Sequence, residues 1–141
     1  MKSLFIITTV ITVLCSCSVK RNVNTLPADK QYSMFFRQLY EEVDTLTNGF
    51  RSVGNFRPDS ITAERYSIYQ ESGEFCIRGY LITDSTFDKT SLDKIGIVTV
   101  MYNDTLYSYR CPLTRINDLI KASDIKIIDL DKRITINNGP I

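Results

Sequence analysis

Histidine is missing from all 141 residues, which removes the commonest proton shuttle of enzyme sites. Without it there is no Ser-His-Asp or Cys-His catalysis and no His-containing zinc site. Cysteine is scarce: there are four, and Cys15 and Cys17 lie within the first seventeen residues. Cys76 and Cys111 alone are too few for an all-thiolate zinc cluster. No GxGxxG or Walker-type loop occurs, so the backbone cradles of nucleotide enzymes are lacking. Neither sign of charge dominates, with 17 basic and 16 acidic side chains. That balance offers no electrostatic reason to expect nucleic acid or acidic substrates. These gaps predict a chain that is not an enzyme, carries no catalytic residues, binds no metal or cofactor and takes no small-molecule substrate.

Long hydrophobic runs are also lacking, with one exception. Leu4 to Leu14 is apolar apart from threonines, too short to span a bilayer permanently but suited to a secretory h-region behind Lys2. The closing Leu14-Cys15-Ser16-Cys17 resembles the lipobox of bacterial lipoprotein signals. Such a box has an aliphatic residue three before the cysteine, a small residue just before it, and then the acceptor thiol. Cys17 fits because Ser16 precedes it, whereas bulky Leu14 precedes Cys15. An ordinary cleaved signal with incidental cysteines is the alternative. The expected organisation is a lipoprotein signal peptide over 1–16, a tether over 17–26 lipidated (palmitate) at Cys17, and one α+β domain over 27–141. The sequence Ser18-Val19-Lys20-Arg21 lacks the acidic run of surface-exported lipoproteins. A membrane-attached envelope protein, on the outer membrane facing the periplasm, is therefore expected.

Within the domain, Tyr32, Phe35, Phe36, Leu39, Val43 and Leu46 recur at three- and four-residue steps, predicting a helix over Pro27 to Leu46. Asn48-Gly49 stops it, glycine being free to take the left-handed cap. Residues 50 to 61 read as a loop containing Gly54 and Pro58. Extended runs over Ala63 to Gln70 and Glu74 to Thr83 are predicted from β-branched and aromatic residues, with Glu71-Ser72-Gly73 as the turn. A short helix over Thr86 to Ile95, ending at Gly96, precedes a strand over Ile97 to Tyr102. Asn103-Asp104 suits a two-residue hairpin because both residues tolerate positive φ. Leu106 to Cys111 returns as the partner strand, and Pro112 opens a helix through Ala122. Ile125 to Leu130 is the last strand, leaving a tail over 132–141.

From residue 74 onward the order is strand, helix, strand, hairpin, strand, helix, strand. Right-handed crossovers fold that order into a ferredoxin-like βαββαβ plait over about 74–131, with an antiparallel sheet and both helices on one face. An N-terminal helix and strand are added to it. In the plait the first and third strands are central neighbours. Cys76 and Cys111 are then brought together, and an oxidising compartment makes a disulfide between them possible. Two buried free thiols are the alternative.

The stretch from Ser91 to Val100, a short turn, and the stretch from Tyr107 to Leu130 resemble the N-terminal prodomain of subtilisin-like serine proteases. Leu92, Gly96, Pro112, Leu113, Leu119, Ile127 and Ile128 occupy the matching places, over roughly residues 75 to 131. The resemblance implies a domain that folds alone, lays its sheet on an exported protease and threads its C-terminal tail through the substrate cleft. Such units are inhibitors and folding chaperones. No catalytic domain follows Ile141 in this sequence, so any action on a protease is expected in trans.

Three further features bear on a site. The alternation in Arg133, Ile134, Thr135, Ile136 and Asn137 would let the tail add as a β-strand to a partner; a frayed terminus is the plain alternative. Tyr66, Tyr69, Tyr80, Tyr102, Tyr107 and Tyr109 suit either a wet binding face or a half-buried contact with the added helix, and that helix's aromatics favour the second. Asp129 and Asp131 read as a solvated strand edge, and Glu41, Glu42 and Asp44 as helix surface. Asp59-Ser60-Ile61 resembles a short O-glycosylation acceptor of some Gram-negative exported proteins. The function expected is a non-catalytic, lipid-anchored protein-binding module, with a structural or assembly accessory of the envelope as the alternative.

Overall fold

A computed structural model describes residues 24–131. Ser33 sets the entry to the first helix. Its backbone is extended and its Oγ accepts the Phe36 N–H, satisfying one of the amides that a helix start leaves unpaired. The helix covers Met34–Leu46 (α1) and buries Phe36, Leu39, Tyr40 and Val43 on one stripe. It ends where Asn48 and Gly49 both take positive φ. The helix therefore begins seven residues later than Pro27. Upstream of Ser33, Gln31–Tyr32 forms a short strand, β1. The Tyr32 ring stacks on Phe36 at 5.6 Å, and the Ser33 N–H donates to the Ile128 carbonyl.

The expected strand over 63 to 70 is also corrected. Asp59 caps a short helix, α2 (Ser60–Arg65), by accepting the Thr62 N–H at 2.7 Å. Only β2 (Tyr69–Glu71) is extended. Local capping after Pro58 outweighs the β preference of the residues that follow. Ser72 and Gly73 both have positive φ and turn the chain tightly into β3 (Glu74–Thr83). A four-residue helix, α3 (Thr90–Asp93), is shorter than expected. Then come β4 (Val98–Asn103) and β5 (Leu106–Pro112). The turn between them is Asp104-Thr105, without positive φ. Asn103 Oδ1 secures it by accepting the amides of Thr105 and Leu106. A 3-10 turn over Leu113–Arg115 precedes α4 (Ile116–Lys121), and β6 (Ile125–Leu130) closes the described chain.

The molecule is α+β, with a six-stranded sheet in the order β1-β6-β3-β5-β4 and β2 paired to β3. The expected fully antiparallel sheet is corrected to a mixed one, because β1 runs parallel to β6; the remaining pairs are antiparallel. β3 is the spine. Cys76 faces Tyr69 of β2 and Pro112 of β5, so β2 and β5 lie on opposite edges. Further along, β6 takes over the β2 edge from Gly79 to Thr83. Side chains alternate along β3: Ile77, Leu81 and Thr83 are buried, while Tyr80 and Ile82 are exposed. The buried set meets Phe36, Leu39 and Val43 of α1, Leu92 of α3, and Ile116 and Leu119 of α4 in one core. The buried apolar side chains of α1, α3 and α4 thus gather on one side of the sheet.

Candidate functional site

The sheet face opposite that core carries the chemistry left over after folding. The alternation brings Arg78, Tyr80 and Ile82 from β3 onto it, and the register adds their neighbours: Ser108 and Arg110 from β5, Val98 and Val100 from β4, and Ile127 and Asp129 from β6. Val100 is 58% and Tyr102 64% exposed. The Tyr80 and Tyr102 rings lie 6.2 Å apart. Two depressions meet at Tyr80. One, of about 630 Å³, is lined by Tyr69, Arg78, Tyr102, Arg110 and Asp131 among others. The second, of about 590 Å³, is more apolar and is lined by Ile82, Leu106 and Ile127 with Gln31 and Asp129.

The tyrosines divide between the two faces. Tyr66, Tyr107 and Tyr109 are buried. Tyr66 donates its hydroxyl to Glu42 of α1 at 2.7 Å, and Tyr107 meets Phe87 edge-on. Tyr69, Tyr80 and Tyr102 line the open face instead, and the expectation that the added helix covers them is corrected. α1 packs on the core side, where its own aromatics find Tyr32 and Phe50. Asp44 is also not helix surface: it is 5% exposed and accepts from the Asn24 amide at 2.8 Å. Glu42 is tied up by Thr62, Arg65 and Tyr66.

Cys76 and Cys111 lie on neighbouring central strands, yet they are free thiols. The register is the reason. Cys111 pairs with Ile77, and Cys76 with Pro112, so the two cysteines are one step out of phase and leave opposite faces of the sheet. A disulfide needs Cβ atoms that point toward each other. Burial pushes the Cys76 thiol up and the Cys111 thiol well above its ordinary value. Both are therefore protonated and poorly nucleophilic.

Cys17 and the tail residues Arg133, Ile134, Thr135, Ile136 and Asn137 lie outside the described residues. Among the described residues, no three metal-capable side chains converge, and no helix is long and apolar enough to cross a membrane. Asp129 and Asp131 border the two depressions. Arg78 and Arg110 were not legible as site residues. Their only sequence signal is their place in the two-residue alternation opposite Ile77 and Cys111. A scan against protein-family models, a search of curated proteins and a search of solved structures each returned no match to this chain.

Proposed function

We propose that this chain is a non-catalytic, lipid-anchored protein-binding module whose open sheet face is the docking surface. One observation carries the reading: Tyr80, Ile82, Val98, Val100 and Tyr102 stay exposed on a single face, while α1, α3 and α4 pack on the other. Contiguous exposed apolar side chains with tyrosine among them suit a protein interface. The partner proposed is an exported subtilisin-like protease, inhibited or assisted in folding. Support comes from the prodomain-like residues and from the segment 74–130, where four strands stand in the order β6-β3-β5-β4 with antiparallel pairing throughout. A ferredoxin-like plait over that segment, with β1 added beside β6 and β2 beside β3, is part of the same proposal. Attachment to the outer membrane, facing the periplasm, rests on the lipobox-like Leu14-Cys15-Ser16-Cys17.

Two measurements test this reading. Full-length protein should slow an exported serine protease of its own envelope, and Val100→Glu should weaken that effect about tenfold or more. Undiminished inhibition by Val100→Glu overturns the docking face, and no binding to any such protease overturns the partner. Cys17→Ser should abolish palmitate labelling and release the protein from membranes.

A further inference from the structure

Resting on that docking face, we propose that the partner places a carboxylate side chain on Arg78. Arg78 stands on the open face of β3, its guanidinium carbon 4.4 Å from the centre of the Tyr69 ring. Its Nε is buried and has no hydrogen-bond partner. Directly opposite in register is Arg110, about 5 Å away at Cβ. The Arg110 guanidinium pairs with Glu71, whereas Arg78 makes no ion pair among the described residues. Two cations therefore stand side by side, and Glu71 pairs with only one of them. A planar guanidinium held on an aromatic ring and left without an ion pair is organised to receive a carboxylate at its terminal nitrogens, its Nε lying beneath the surface.

Asp131 lines the same depression. Its backbone N–H donates to the Arg78 carbonyl at 2.9 Å, while its carboxylate does not pair with the Arg78 guanidinium. That nearby negative charge favours a singly charged carboxylate over a doubly charged phosphate. Beyond Tyr80, the apolar depression at Ile82, Leu106 and Ile127 lies along the same strand. Arg78 and Ile82 are four residues apart, about 13 Å on an extended chain. A partner segment lying extended along β3 thus meets Arg78 with an acidic side chain and Ile82 with an apolar one four residues away.

The test uses isotope-labelled full chain in detergent micelles and the peptide acetyl-Glu-Thr-Val-Thr-Leu-amide, with its Gln-for-Glu analogue and inorganic phosphate as comparisons. The acidic peptide should move the Arg78 Nε–H resonance saturably and bind about tenfold more tightly than the Gln analogue. Asp131→Asn should tighten it about threefold, and Arg78→Gln, with its backbone amide spectrum intact, should erase the difference between the peptides. Equal binding of the two peptides, a difference that survives Arg78→Gln, or a stronger response to phosphate would each overturn the proposal. The peptides need no protease, so this result and that of Val100→Glu fail independently.

Discussion

At the scale of single residues, Gly79 shows how little room the spine strand leaves. A Cβ there would collide with the Asp129 carbonyl and would reach within 2.9 Å of the Tyr109 ring. Neither the β6 backbone nor a ring buried in the core can retreat cheaply. Gly79→Ala should cost about 3 kcal/mol, read as a lower urea midpoint at an unchanged slope. The two thiols offer a second check. Iodoacetamide should modify Cys76 and Cys111 only after denaturation, seen by peptide mass; rapid native labelling of either would contradict their burial. The tyrosines set the pH response. Burial lifts Tyr32 from 10.0 to about 12, raises Tyr40 and Tyr66, and lifts Tyr109 well above its ordinary value. The folded state thus holds these protons more tightly than the unfolded chain does. Their contribution is complete below the unfolded value of 10.0 and is lost as pH climbs toward about 12. The melting temperature should therefore fall above pH 10, while absorbance at alkaline pH reports delayed ionisation. No histidine is present, so stability should stay nearly flat between about pH 5 and 8.

At the scale of elements, Ser33 joins the start of α1 to the end of β6. Its Oγ accepts from both Phe36 and Leu130 amides, at 3.3 and 3.2 Å. Ser33→Ala should cost about 2–3 kcal/mol, because it removes a helix cap and strands a strand amide. Ser33→Thr keeps the hydroxyl and should recover most of that in the same unfolding measurement. Element identity was largely legible where pattern and turn chemistry agreed, as in β3, β5 and β6 and the Ser72-Gly73 turn. It failed where a cap competed with propensity. Asp59 converts part of the expected strand into α2, and Ser33 moves the start of α1 so that Tyr32 becomes strand.

At the scale of the whole molecule, one sided layering governs what surface remains. Three helices bury their stripes against the same sheet face, and β4 stands at the free edge with no described strand beyond it. Val100→Glu should change stability by no more than about 0.5 kcal/mol, since that side chain is already 58% exposed. Thermal unfolding of that variant separates loss of docking from loss of fold. The candidate site was only half legible for the same reason. Tyr69, Tyr80 and Tyr102 were visible as aromatic strand residues, but nothing local says which sheet face a distant helix will cover.

By itself the sequence determined the order of extended segments after residue 74, the apolar stripe of α1, the lack of any neutral-pH titrating side chain, and the two-residue alternation that separates Ile77 from Arg78. These are local properties, set by backbone period, turn residues and composition. Only the tertiary structure decided that β1 joins in parallel, that Cys76 and Cys111 part to opposite faces, and that Arg78 and Arg110 stand together. Each of those depends on strand register and helix placement, which are selected by packing between residues far apart in the chain.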